Sequence, residues 1–418
     1  MGKPKIRFEG YSEDWEQRKL GEVLKLENGY AFKSQFFSDN ETNIIVATPG
    51  NVSVDGGFIE EGGKYYKIDG EIPDAYIFHP GDLFVTMTDL TPTANTLGKP
   101  ATVPDNGVMY LHNQRLGKLI GFEGDKAFLY SLLCTSEYHN YMVVTASGST
   151  VRHSSPGRIL EYEIAIPGLD EQIKIGKYFS NLDHLITLHQ RKCDEIKTLK
   201  KYMLQKMFSQ NGEKVPEIRF NGFTEDWEQR KLGDITTKIG SGKTPKGGAA
   251  AYKDDGIALI RSQNVNGDRV DLSDVVFIDE QTDEDMKNSR VLKGDVLLNI
   301  TGASIGRSAV FTRELRANVN QHVCIIRTKG SDASPEFIQL NIISSNGQNQ
   351  IDSFQAGGGR EGLNFHQIGK MEFLYPGIEE QQKIGQYFAN LDHLITLHQR
   401  KCNELKEIKK YMLQNMFV

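Results

Sequence analysis

The chain has 418 residues, enough for two or three domains that each bury a core. Its formal net charge is −6, which excludes a uniformly basic nucleic-acid binder; basic groups serving an acidic partner must be gathered on one face. No apolar run approaches the roughly 20 residues that span a bilayer.

The opening Met1-Gly2-Lys3-Pro4-Lys5 has no apolar signal-peptide core, and Ile6 stands where a myristoylation signal needs Ser or Thr. A soluble cytoplasmic protein is expected. Residues 4–21, Pro-Lys-Ile-Arg-Phe through Trp15 to Lys19-Leu20-Gly21, return almost unchanged 212 residues later as 216–233. The first insert, residues 24–165, holds 10 Lys+Arg against 17 Asp+Glu, a net of −7. It carries a strand at 82–87 after a turn glycine. The triplet Asn113-Gln114-Arg115 precedes an apolar strand, and a flexible loop spans 147–153.

Pro167-Gly168 then opens a second shared block, which returns 209 residues later at Pro376-Gly377. It is near-verbatim from Asn181 to Cys193 and from Asn390 to Cys402. Ile175, Phe179, Leu182, Ile186, His189, Cys193, Ile196, Met203 and Met207 fall at alternating four- and three-residue steps, with Lys200 the one break. The stripe recurs through Ile384, Phe388, Leu391, Ile395, His398, Cys402, Leu405, Met412 and Met416. This spacing predicts two long helices pairing as a coiled coil, each with acidic residues (Asp170, Glu171; Glu379, Glu380) at its positive N-terminal end. Leu182, Ile186, His189, Cys193, Leu391, Ile395, His398 and Cys402 are the expected seam.

A polar linker at 209–215 leads to the second copy. Its insert, 236–374, holds 16 Lys+Arg against 17 Asp+Glu, a net of −1, and hardly matches the first. Gly240-Ser241-Gly242-Lys243-Thr244 imitates a nucleotide-binding loop, but Thr237 stands where a P-loop needs glycine and Pro245 follows. A plain turn, or a basic loop bringing Lys243 and Lys246 to phosphate, is expected instead. Strands are expected at 257–260 and 295–300.

Polar clusters suit base or phosphate contacts, since Arg reads guanine bidentately and Asn or Gln reads adenine. The candidate DNA-binding residues are Asn113, Gln114, Arg115, Ser149, Thr150, Arg152, Lys243, Lys246, Arg261, Gln263, Asn264, Arg307, Asn320, Gln321, His322 and Arg360. For each, a role in turns or fold-stabilising hydrogen bonds is the competing explanation. No Pro-Pro exists for a methyltransferase catalytic stretch, Glu195-Ile196-Lys197 sits inside the helical stripe, and no histidine pair has ligand spacing. The cysteines (Cys134, Cys193, Cys324, Cys402) form no CxxC pair. Neither a catalytic nor a metal site is expected.

The order shared, variable, shared, repeated once, points to a duplicated, pseudo-two-fold scaffold presenting two different recognition units. Gly294-Asp295-Val296-Leu297-Leu298 with Thr301-Gly302, Ile305-Gly306-Arg307 and Asn320-Gln321 is similar to the interior of a Type I target-recognition domain. Residues 7–21 and 219–233 look like its opening, and 166–172 and 375–381 resemble the approach to its conserved helices. The chain thus resembles the specificity subunit of Type I restriction–modification enzymes along nearly its whole length. The first insert departs from the pattern, with Thr88-Asp89-Leu90-Thr91-Pro92-Thr93 in place of the usual Gly-Arg stretch.

That resemblance implies an α+β fold: two mixed α/β target-recognition domains (1–168 and 211–377) joined by two long helices (169–210 with its linker, and 378–418) in an antiparallel coiled coil. It implies a non-catalytic chain that reads a bipartite, asymmetric double-stranded DNA site. Two modification subunits would methylate adenine N6 with S-adenosylmethionine, and restriction subunits would cut with ATP and Mg; this chain itself holds no cofactor. The alternatives are a coiled-coil scaffold without DNA readout, favoured by the acidic first insert, and a stand-alone DNA-modifying enzyme.

Overall fold

The computed structural model describes residues 3–208, 213–267, 269–356 and 362–418. Residues 357–361, with the candidate Arg360, lie outside the described residues. Two compact units emerge: Met1–His189 with Arg400–Val418, and Gln190–Gln399. The two long helices are present as Leu169–Lys206 and Ile378–Met416. Each begins in one unit and ends in the other.

In the first unit an antiparallel sheet is ordered Lys25–Asn28, Leu116–Ile120, Leu83–Thr86, Pro100–Thr102. A second sheet sets Ile44–Ala47 between antiparallel Lys64–Tyr65 and parallel Met109–His112. The second unit repeats this plan with almost unrelated residues: Thr236–Ser241, Val323–Thr328, Val296–Asn299, Ser308–Val310 form the antiparallel sheet. Ile257–Ile260 lies parallel to Ala317–Val319 in its companion. The central strands Leu83–Thr86 and Val296–Asn299 are buried throughout, so their first three residues read as an apolar run rather than an alternating one.

The shared blocks build the frame. Glu16–Lys19 pairs with Glu163–Ile166, and Glu228–Lys231 pairs with Glu372–Tyr375, bringing each opening segment to the foot of a long helix. There Arg7 donates twice to the Glu171 carboxylate, at 2.7 and 2.8 Å, and Arg219 does the same to Glu380. Both carboxylates are almost fully buried. The next residue anchors the domain: Gln172 donates to Pro167 O and accepts from the Asp125 N–H, while Gln381 donates to Pro376 O and accepts from Ser334. Glu171 and Glu380, expected only to suit the helix dipole, are therefore half of a bidentate lock, while Asp170 and Glu379 are exposed.

Helix pairing is antiparallel within each unit. In the first, Asp183 meets Lys409 while the Cys402 thiol points at the Ile186 carbonyl. In the second, Cys193 faces Ile395 O and Gln399, and Lys200 meets Asp392. The helix ends close the cores. Phe417 packs 5.5 Å from Phe128 and 5.7 Å from Phe179; Phe208 packs 5.3 Å from Phe337 and 6.2 Å from Phe388. Leu182, Cys193, Leu391 and Cys402 are buried in the seam, and Ile186, His189, Ile395 and His398 are half-buried. No described helix is long and apolar enough to cross a membrane.

Candidate nucleic-acid interface

In the second unit, loops that follow four strands are tied together at one edge. The Asn320 N–H donates to Ile260 O, the Ile300 N–H to His322 O, and the Leu363 N–H to Ile300 O. Asn299 Nδ2 donates to Ser262 O at 2.9 Å. Gly242 completes the cluster, because a Cβ there would lie 1.6 Å from the Val319 carbonyl oxygen. The Gly-Ser-Gly-Lys sequence thus serves close backbone approach, and it leaves Lys243 and Lys246 exposed. Gly29 does the same in the first unit, where a Cβ would lie 2.2 Å from Asn113 O. Gln114 and Arg115 stand exposed beside it.

The candidate residues divide into those spent on the loops and those left facing outward. Asn264, 2% exposed, accepts from the Arg261 N–H and donates to Asp271 O and Asp274 O. Asn51 repeats that role in the first unit, accepting from Thr48 and donating to Ile59 O. Asn113 and Asn320 are buried and accept from the N–H groups of Arg115 and His322. Arg152 donates to Val143 O, and Arg261 donates to Asp274 O with its guanidinium 5.9 Å above the Tyr252 ring. Gln263 is exposed with its amide on Asp274. Ser149, Thr150, Arg307 and Gln321 are exposed. His322 is half-buried between Thr301 and Gln321.

The first unit's departure from the Gly-Arg pattern has a structural explanation. The Gly98 N–H donates to Thr86 O and the Thr86 N–H to Lys99 O, as Gly306 and Arg307 do with Asn299. Gly98-Lys99 therefore occupies the place of Gly306-Arg307, displaced in sequence by a longer loop. Asp89 staples that loop. Its buried carboxylate accepts from the N–H and hydroxyl of both Thr91 and Thr96. Burial opposes the charge, but these bonds win and hold its pKa below the ordinary 3.8. Sequence reading missed Lys99; the available signal was a Gly-basic pair immediately before the strand Pro100–Thr102. Among the described residues no group of three or more His, Cys, Asp or Glu could hold a metal.

The class defined here is a tandem repeat of α/β units, each closed by an antiparallel helix pair and each presenting a polar loop edge. The family model for the Type I restriction modification DNA specificity domain matches residues 12–198 and again 224–407. The chain belongs to this family of specificity subunits. It is 25% identical over 410 residues to the EcoBI Type I restriction enzyme specificity subunit of Escherichia coli, covering 91% of this chain and 81% of the relative. It is 21% identical over 296 residues to the MjaVIII specificity subunit of Methanocaldococcus jannaschii, covering 69% and 68%. The crystal structure of a Type I restriction-modification S subunit from M. genitalium shares the fold with a TM-score of 0.65 at 15% identity, covering 100% of this chain and 99% of that one. A chain from a study of complex assembly in a type I system gives 0.51, also at 15% identity, covering 97% and 98%.

Proposed function

We propose that each unit reads one half of a bipartite, asymmetric double-stranded DNA site through its loop edge. The observation that carries this reading is the repeated edge itself. Two inserts with almost no common sequence place the same loops at the same strand ends, Gly29 against Asn113 and Gly242 against Val319, yet they expose different side chains there. A fixed frame with variable outward residues is what two different half-sites require. Gln114 and Arg115 in the first unit, and Lys243, Lys246, Arg307 and Gln321 in the second, are the proposed contacts.

The chain supplies recognition and no chemistry. Two modification subunits carry S-adenosylmethionine and methylate adenine N6, and restriction subunits bring ATP- and Mg-dependent cleavage. The cytoplasm, where the DNA is, is the proposed location. Sequencing of methylated DNA from cells holding this chain with its modification partner tests the reading. A gapped, asymmetric target is expected, together with binding that weakens steeply with salt. Salt-independent association without any DNA preference would favour the scaffold alternative.

A further inference from the structure

The first unit contains a cavity of about 1190 Å³ between its domain and the helix segments that close it. Ligand pockets for small molecules commonly measure roughly 300–1,000 Å³, so the space suffices for a nucleotide-sized occupant. Lys99 lines it and is only 8% exposed. Its ammonium has no hydrogen-bond or ion-pair partner among the described residues, and the charged or titratable groups that act on it, Cys134, Asp55, Lys409 and His139, all line the same cavity. The ammonium is not sealed in: it opens onto the cavity, where an anion can reach it. Burial pushes this lysine's pKa down, against the opposing influence of Cys134 and Asp55.

The walls add to the positive side. Lys126, Lys406 and Lys410 are exposed at the lining, whereas Lys409 is already paired with Asp183. Asp55 and Glu407 are the remaining acids of the lining, and neither forms an ion pair among the described residues. Tyr130 and Cys134 supply a half-apolar wall beneath the Gly56 turn, where a Cβ would lie 2.8 Å from Cys134 Sγ. The second unit is built differently at these positions. Arg307, in the place of Lys99, is exposed, and Gln339 in the helix matching that of Tyr130 spends its amide on Gly267 O and Ser308 O.

The geometry points to an anion site in the first unit that takes a small phosphate-bearing molecule, with Lys99 as its buried counter-charge and Lys406 and Lys410 at its rim. This stands on the first unit alone; because Lys99 occupies the place of the proposed DNA contact Arg307, competition with a DNA duplex separates the two roles. Isothermal titration calorimetry of the full chain with inorganic pyrophosphate and with ADP, using adenosine as the uncharged control, tests it. Saturable one-to-one binding of both anions, and none of adenosine, is expected. Lys99→Met should weaken the anions at least tenfold, and the exposed double variant Lys406→Ala/Lys410→Ala at least threefold. If Lys99→Met does not fold by circular dichroism, the exposed double variant decides alone. Absence of anion binding, equal binding of adenosine, or unchanged affinity in the folded variants would overturn the site. Displacement of pyrophosphate by a DNA duplex would show that the phosphate is the DNA backbone's and would overturn the small-molecule occupant.

Discussion

The Lys200 ammonium lies 2.5 Å from the Asp392 carboxylate, and its counterpart 209 residues on, Lys409, lies 2.5 Å from Asp183. Lys200 is the residue that interrupts the apolar stripe of the first long helix. The interruption is matched by an acid on the antiparallel neighbour in each unit, so it sets direction and register where a purely apolar seam would slide. Lys200→Asp should therefore destabilise the second unit by about 1–3 kcal/mol. Adding Asp392→Lys should recover at least half of the loss. Urea denaturation of the single and double variants measures this; equal instability of the double variant would remove the register role.

The Arg219–Glu380 lock buries a carboxylate that is 1% exposed. Arg219→Ala leaves that charge without its bidentate partner, and a loss of about 3 kcal/mol is expected. Glu380→Gln in the Arg219→Ala background should relieve part of it, because a neutral amide is cheaper to bury. Thermal melts of the three variants check the order.

At the loop edge, buried and exposed candidates should separate cleanly. Asn264→Ala removes an acceptor and donors spent on the loop backbone, so stability should fall by about 1–3 kcal/mol while the methylated sequence stays the same. Arg307→Ala should leave the denaturation curve in place and weaken DNA binding by about 1–3 kcal/mol if its guanidinium reads a base. A loss confined to one half-site marks readout, and a loss uniform across sequences marks a phosphate contact. Unchanged binding would remove Arg307 from the interface.

His112 gives a pH dependence with a definite sign. Its ring is 2% exposed, lies 4.4 Å from Phe78, and its Nε2–H donates to Leu116 O at 2.9 Å. Burial pushes its pKa down from 6.5 to about 4. The folded unit thus holds the neutral ring where the unfolded chain already binds a proton. Stability from this group is full above pH 6.5 and is lost as pH falls toward about 4. A decline of about 2–3 kcal/mol across that window is expected, and His112→Leu should flatten it. Denaturation midpoints at pH 7.5, 5.5 and 4 would provide the comparison; a slope unchanged in the variant would assign it elsewhere.

The frame was legible in the sequence because its information is local and repeated. Helix seams show as a heptad-like stripe, and the duplicated opening and Pro-Gly blocks identify themselves by their near-identity. Their partners were not legible. Glu171 looks like a helix-dipole residue until Arg7 is brought to it across 164 positions, and Lys200 looks like a flaw until Asp392 faces it. The loop residues show the same limit. Asn264 and Gln263 are adjacent polar residues of one loop, yet the first is buried in backbone hydrogen bonds and the second exposed. Sequence by itself determined the repeat, the two long helices and the family resemblance, because each rests on spacing along the chain. Only the tertiary structure decided that two dissimilar inserts share one sheet plan, that Lys99 stands where Arg307 does, and which polar groups remain unspent. Those outcomes depend on contacts between residues far apart in the chain, where burial and hydrogen-bond satisfaction set the role of a side chain.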